Sequence, residues 1–469
     1  MRNLLIICFA FLSVHVYAQK EWTLQEAVTY ALENNISVKQ SDLNALSSEE
    51  TYNQSKLGQL PSLNGSIAQG YNFGRSVDPF TNQFTTQRIR NNNFSLFSSV
   101  TLFNGLQARN NIKKNYFELL AVKFDADKMK NDISLNVASS YLQLLFNREL
   151  LKVAQQQIEL TAVQLERIKE LVNAGSLPKG SLLDIQAQYA SEERQLVSAE
   201  NALELSRLSM GMLLMMDDPK NFRAASIDTE MNSTVLLENT PGEIYGIAVL
   251  NQPSIKSANY RVLSSEKALA AAKGGLSPRI TLNGSVGTGY SDGRKELDKI
   301  TLNGTSVIGY TSGGDSVYVP DYSQTFKTTS FQDQVNDNFS QSISVSLNIP
   351  IFNGGQVRRN IRQSKIQVLN SQYNLEQQEN TLRQNIEQAY TDAKSALKSY
   401  VAAEKSLDAN QLAFDYAEQR YELGMINAYE YKDSKNRLIR ASSDLLQAKY
   451  DFVFKVKILE FYKSSTLTF

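Results

Sequence analysis

The chain says nearly everything twice, and that duplication is its strongest constraint. Phe103-Asn104-Gly105 recurs as Phe352-Asn353-Gly354, and Gly175 recurs as Gly424, both at an offset of 249. Upstream, Leu63-Asn64-Gly65-Ser66 matches Leu282-Asn283-Gly284-Ser285 at an offset of 219, so a loop between these landmarks is longer in the second half. A sequence with two matched halves must fold into one unit made twice. The expected division is a first repeat over 19–216, a linker over 217–240 that crosses the middle, and a second repeat over 241–469.

Each half has one order of elements. A helical stretch comes first, Thr23 to about Leu57 and Pro241 to about Gly275. A Gly-containing alternating strand follows (SLNGSIAQGY and ITLNGSVGTGY), then a polar loop and a second alternating strand that runs into Phe-Asn-Gly. In the second copy of that strand Ile343, Val345, Leu347, Ile349 and Ile351 alternate with Ser342, Ser344, Ser346 and Asn348. Period two over such a length predicts a strand with one apolar and one polar face, and suits a tilted transmembrane β-strand of ~9–11 residues. A strand of a soluble sheet with one wet face reads the same way. The stretch 291–338, rich in Ser, Thr, Gly and Asp, reads as a long polar loop.

After Phe-Asn-Gly the period changes. Leu144, Leu151, Ile158, Leu165 and Val172 step by seven, with Ala154, Thr161 and Ile168 three residues further on. Leu407, Phe414 and Tyr421, with Asn410 and Ala417, repeat the pattern. Beyond each glycine Leu182, Tyr189, Leu196, Leu203 and Met210 step by seven, as do their counterparts Tyr431, Leu438, Leu445, Phe452 and Leu459. Sustained heptads mean helices packed knobs-into-holes. No proline interrupts 106–175 or 355–424. Each such stretch, as one helix, is a rod of roughly 105 Å at ~1.5 Å per residue. The apolar seams are narrow, so each helix keeps broad wet surfaces and needs neighbours on both sides.

The first 18 residues read as a signal peptide. Arg2 precedes an apolar stretch from Leu4 to Val14, and Val16-Tyr17-Ala18 suits cleavage. The apolar run is shorter than the ~20 residues a membrane-spanning helix needs. The only cysteine, Cys8, and the only histidine, His15, lie in that segment. The mature chain therefore has no disulfide, no Cys or His metal ligand, no cofactor motif and no Ser-His-Asp or Cys-His pair, which argues against an enzyme. Lys+Arg and Asp+Glu each number 48, so no net charge calls for nucleic acid. No second long apolar run exists, so a membrane would have to be crossed by strands.

Two strands per half make four per chain, too few to close a barrel, and open edges are not tolerated in lipid. Other copies must complete the wall: two would give eight strands and three would give twelve. At this point the pattern resembles the TolC-like outer-membrane efflux proteins. The resemblance covers nearly the whole mature chain and is carried by TLQEAVTYALENN (23–35), the two FNG segments, NAGSLPKGSLLDIQAQ (173–188) and YELGMINAYEYKDSKNRL (421–438). It implies an α+β membrane protein: a homotrimeric twelve-stranded β-barrel in the outer membrane on a long α-helical coiled-coil barrel in the periplasm. It also implies a periplasmic adaptor and an inner-membrane pump as partners, with no cofactor and no metal site. The implied function is that of a passive exit duct for small molecules or drugs. The outer-membrane component of a type I protein secretion system shares this architecture. An exported coiled-coil stalk or adhesin, of another class, expects no membrane strands and no pore.

By the same resemblance Gly175 and Gly424 mark the periplasmic tip, where the adaptor docks, and Glu430, Asp433 and Asp184 are candidates for the tunnel constriction. Asp184 and Asp433 share the 249 offset; Glu430, six residues after its glycine, does not have an acidic counterpart. The chain carries Ile426 two residues after Gly424, where family members place a basic residue, and so departs from the family's salt-bridge latch.

Overall fold

The computed structural model describes residues 21–77, 82, 84–85, 88–226 and 239–464. The signal-peptide segment, with Cys8 and His15, and half of the linker (227–238) lie outside the described residues. Two compact units are built from both halves of the sequence. One comprises 1–49, 117–263 and 369–469; the other comprises 50–116 and 264–368.

The duplication is explicit in the helices. α1 (Leu24–Asn34) and α2 (Ile36–Leu57) recur at an offset of 217 as α5 (Pro241–Asn251) and α6 (Pro253–Gly274). α3 (Gln107–Asn173) recurs at 249 as α8 (Gln356–Glu422), each of 67 residues. α4 (Lys179–Leu213) is matched by α9 (Ala428–Ser464). The uninterrupted long helices follow from the absence of proline and the heptad seams. The shorter helical stretches expected at 23–57 and 241–275 are each broken once. Pro253 disfavours helix at Gln252 before it. In the first half Asn35 does the same without proline, its side-chain carbonyl accepting the Ser37 N–H at 2.9 Å. Both α1 and α5 start with a reciprocal Thr–Glu cap, Thr23 with Glu26 and Thr240 with Glu243.

Within the helical unit the cores repeat too. Ile133, Val137 and Leu144 of α3 pack with Leu24, Val28 and Ala31 of α1. Their counterparts Leu382, Ile386 and Ala393 of α8 pack with Ile244 and Ala248 of α5. Tyr141, fully buried, ties the start of the described chain to the start of the linker. Its hydroxyl lies 2.7 Å from the Trp22 carbonyl and 2.8 Å from that of Ala225, sharing one proton between two acceptors. Burial holds its pKa above the ordinary tyrosine value. Trp22 and Ala224 form a parallel bridge beside it.

The second unit holds an antiparallel sheet in the order β1-β4-β5-β8: β1 (Ser62–Asn72), β4 (Ile89–Phe103), β5 (Arg279–Ser291) and β8 (Ser340–Asn348). These are the four strands expected from sequence. Ile349 and Ile351 lie beyond β8, because Pro350 has no N–H to give the ladder. Directly paired residues share a side of a sheet, and the register separates two faces. One carries Leu63 and Ile67 (β1), Leu96 and Val100 (β4), Leu282 and Val286 (β5), and Ile343, Val345 and Leu347 (β8). The other carries Asn64 and Ser66, Ser95 and Ser99, Asn283 and Ser285, and Ser342, Ser344 and Ser346. The polar face is laced across strands: Ser99 Oγ donates to Asn283 Oδ1 at 2.8 Å, and the Ser285 and Ser342 hydroxyls are 2.9 Å apart. The apolar face is bare, with Ile67 79% and Ile343 84% exposed.

The stretch 291–338 is not a loop. It folds into a hairpin of β6 (Lys295–Tyr310) and β7 (Ser316–Thr328), followed by α7 (Phe331–Asp337). Its Ser, Thr and Gly content hid an alternation broken by register shifts at three points, where a period-two count fails. α7 is clamped to β5 by Gln334, fully buried, whose amide donates to the Ser291 and Thr329 carbonyls and accepts from the Ser291 N–H. A minor hairpin, β2 (Ser76–Val77) with β3 (Phe84–Thr85), lies between β1 and β4.

Candidate functional site

The long helices end in two turns with one geometry. Gly175 has φ +74° and Gly424 φ +72°. In the first turn the Ser176 N–H reaches back to the Leu171 carbonyl at 2.8 Å and the Gly175 N–H to Val172 at 3.0 Å. In the second, Met425 bonds Arg420 at 2.8 Å and Gly424 bonds Tyr421 at 3.0 Å. This pair of bonds is the Schellman ending, which satisfies the last carbonyls of a helix and places its glycine in the left-handed region. A Cβ at either glycine would meet nothing within 4 Å, so the backbone angle alone demands glycine there. The second turn is lined by apolar side chains left in the open: Leu423 is 75%, Met425 66% and Tyr429 78% exposed.

The acidic candidates follow these turns and do not share one role. Glu430 lies in the first turn of α9, which Asn427 caps: the Glu430 N–H donates to Asn427 Oδ1 at 3.0 Å, and its carboxylate accepts the Asn427 amide at 3.1 Å. One turn on, Asp433 pairs with Arg437 at 2.6 Å along the same helix. Asp184 stands exposed early in α4. The repeat counterpart of Glu430 is Ser181, so the two turns diverge in sequence just where their backbones agree.

A cluster not expected from sequence lies further along α9. Lys435 is 3% and Glu192 5% exposed. Lys435 Nζ donates to Thr161 Oγ1 of α3 at 2.7 Å and sits 3.8 Å from Glu192 Oε1 of α4. The Thr161 hydroxyl donates to the other Glu192 oxygen. The amides of Gln157 and Gln188 donate to Glu192 Oε1 at 3.1 and 3.0 Å. Burial draws the Lys435 pKa below the ordinary lysine value, against the pull of Glu192. The sequence held one signal for this cluster: Glu192 stands three residues after Tyr189, at the seam position where an apolar residue belongs. One turn before Lys435, Tyr431 stacks on Tyr421 with ring centroids 4.8 Å apart and lies 5.6 Å from Phe414. Its hydroxyl accepts from the Gln164 amide. Burial pushes the Tyr431 pKa up to about 12.

Among the described residues no helix is long and apolar enough to cross a membrane, and no three His, Cys, Asp or Glu side chains gather as a metal-binding group.

Comparison with known proteins agrees with this architecture. Outer membrane efflux protein BepC of Brucella suis biovar 1 (strain 1330) is 23% identical over 92% of this chain and 83% of its own length. Cation efflux system protein CusC of Escherichia coli (strain K12) is 22% identical over 90% of this chain and 82% of its own. Among solved structures, CusC superposes with a TM-score of 0.75 at 17% identity, covering 93% of this chain and 91% of that one. The Campylobacter jejuni CmeC outer membrane channel gives 0.72 at 16% identity, covering 94% and 85%. The family described as Outer membrane efflux protein matches residues 27–213 and 244–457, one block in each half of the duplicated sequence. A chain with this duplication, this fold and a family match over most of its length belongs to the outer membrane efflux protein family, whose members are channel components of efflux systems and not enzymes.

Proposed function

We propose that three copies of this chain form the passive exit duct of a tripartite efflux pump, a β-barrel in the outer membrane continued by a helical periplasmic tunnel. One observation carries this reading. The four-stranded sheet has an apolar face, a serine- and asparagine-lined face, and two unpaired edges at β1 and β8. An open sheet edge in lipid leaves N–H and C=O groups without partners, each costing several kcal/mol. Pairing β8 of one copy with β1 of the next removes every edge, turns the apolar face to lipid and the polar face to a lumen. Three copies at four strands each give a twelve-stranded barrel. The repeats 19–216 and 241–469, joined by the linker 217–240, then alternate around the ring.

The turns at Gly175 and Gly424 are the adaptor-docking tip in this reading, supported by the bare Leu423, Met425 and Tyr429 around the second. Glu430 and Asp433 of α9, with Asp184 of α4, form the constriction, where threefold repetition concentrates negative charge in a narrow passage. The inner-membrane pump, reached through the adaptor, supplies energy and selects cargo. Relatives are named for efflux of cations, of solvent and of pyoverdine, so one duct architecture serves different pumps. Small molecules are the proposed cargo here. The two-faced sheet supports a channel and not a stalk.

The test is mass and conductance together. Purified in detergent, the protein should have three times the chain mass and open channels in planar bilayers. A stable water-soluble monomer that never conducts would overturn the reading; a conducting dimer would replace twelve strands by eight.

A further inference from the structure

We propose that Lys435 is a positioning residue of the channel: its contacts with Thr161 and Glu192 set the height and rotation of α9 against α3 and α4, and so fix where Glu430 and Asp433 stand. This rests on reading those two carboxylates as lining the constriction.

The cluster joins three helices through one polar chain. Lys435 of α9 gives an N–H to Thr161 of α3, and Thr161 gives its own proton to Glu192 of α4. Glu192 is held from behind by Gln157 of α3 and Gln188 of α4. Apolar seams tolerate a slide along the helix axis, because one methyl replaces another. A buried charge does not, since any slide leaves it without its partner, and register is the best-attested use of such groups. Asp433 is two residues and Glu430 five residues before Lys435 on the same helix. At ~1.5 Å per residue they lie roughly 3 and 7.5 Å along the axis, within the reach of a single fixed point on a stiff helix. The Tyr431 stack on Tyr421, with Gln164 on its hydroxyl, fixes the rotation between them.

The duplication shows that this pin is not a property of the repeat. At an offset of 249 the counterpart of Lys435 is Gln186, that of Glu192 is Ala441 and that of Thr161 is Asn410. The equivalent seam of the second repeat has no charge to bury. The lysine of the pin comes from α9 alone, two residues after Asp433, while α4 enters it through Glu192, eight residues after Asp184. Of the three candidate carboxylates, the two on α9 have their placement set by Lys435.

The assembled full-length channel is tested with K435M, K435R, E192Q and the swap E192K/K435E. Two readouts are taken: cation selectivity in planar bilayers, and the spin-label distance between Glu166→Cys on α3 and Arg440→Cys on α9. K435M and E192Q should broaden or shift the distance distribution and change selectivity about twofold, in the direction given by D433A. K435R and the swap should return both toward wild type, and the effect of D184A should be the same with Lys435 or Met. Should K435M fail to assemble, T161V/E192L/K435M removes all three polar partners without orphaning a charge and should still change both readouts. Unaltered distances and selectivity in either variant, with only a lower melting temperature, would reduce Lys435 to a structural role and overturn the proposal. If E430A and D433A leave the current unchanged, the constriction reading fails by itself, and the distance readout still decides whether Lys435 places α9.

Discussion

Replacing Gly175 and Gly424 by asparagine separates what the turn needs from what a partner needs. Gly175 and Gly424 are left-handed at φ +74° and +72°, and a Cβ at either would touch nothing in the chain. An alanine there suffers only the left-handed backbone penalty of about 1–2 kcal/mol. Part of that is offset, by about 0.4–1 kcal/mol, because alanine restricts the unfolded chain. The net loss for G175A or G424A is about 1 kcal/mol. Asparagine enters the left-handed region far more readily and ends helices in the same motif, so G175N and G424N should fall within a few tenths of a kcal/mol of wild type by denaturant unfolding. G424N nevertheless plants a polar side chain beside the exposed Leu423, Met425 and Tyr429, and G175N plants one at the matching first turn. If the adaptor sits there, both variants should assemble and conduct normally yet lose adaptor crosslinking in cells and at least tenfold of the efflux-dependent resistance. The double variant should lose more. Full resistance and unchanged crosslinking in G175N/G424N, with normal stability, would show that the glycines end helices and nothing else.

Two more outcomes follow from the same geometry. D433A removes a half-exposed pair with Arg437, worth about 0–1 kcal/mol, and E430A removes only the bond from the Asn427 amide to its carboxylate, leaving the Asn427 cap on its backbone N–H in place. Both variants should therefore stay within about 1 kcal/mol of wild type in stability while raising single-channel conductance or lowering cation preference; unchanged currents would remove them from the constriction. Tyr431, held neutral by burial with its pKa at about 12 instead of 10, contributes stability that is complete below pH 10 and lost as the pH rises from 10 through about 12. That loss is roughly 3 kcal/mol at 1.36 kcal/mol per pH unit, and denaturation midpoints of wild type should fall more steeply than those of Y431F across this window.

The helices were legible because their signals are local. Proline-free stretches and glycines at 175 and 424 delimit α3 and α8 to within two residues of the expected ends. The Thr-x-x-Glu starts at Thr23 and Thr240 lie in the sequence for the same reason. The four strands were legible from alternation, and β8 stopped short only where Pro350 forced it to. The β6–β7 hairpin was not legible, since each register shift inverts the alternation that would announce a strand. The candidate site divides in the same way. The two turns could be read from their glycines. Glu430 and Asp433 could be placed early on α9, but their contacts with Asn427 and Arg437 could not. The pairing of Glu192 with Lys435 joins positions far apart in the chain, and no local pattern says which lysine an acid on a seam will meet. Tyr141 was hidden likewise, because its acceptors are backbone carbonyls whose position depends on the folded linker.

Where the two repeats agree and where they differ follows one physical rule. They agree wherever the backbone must do the same thing: two 67-residue helices, two left-handed glycines closing them, two reciprocal threonine–glutamate caps. Those features depend only on the chain to which they belong, so duplication preserves them at no cost. They differ at the buried polar cluster that joins α3, α4 and α9. Glu192 and Thr161 receive Lys435, whereas their counterparts are Ala441 and Asn410 and the counterpart of Lys435 is Gln186. The three-copy ring proposed above would have two kinds of seam in alternation, one carrying a buried charge pair and one without it. A misplaced repeat would bury Lys435 against Ala441, or Glu192 against Gln186. An unpaired charge in a protein interior costs several kcal/mol, enough to reject the wrong neighbour at each seam. Divergence between the repeats thus supplies what exact symmetry lacks, a means for each helix to recognise its proper seat.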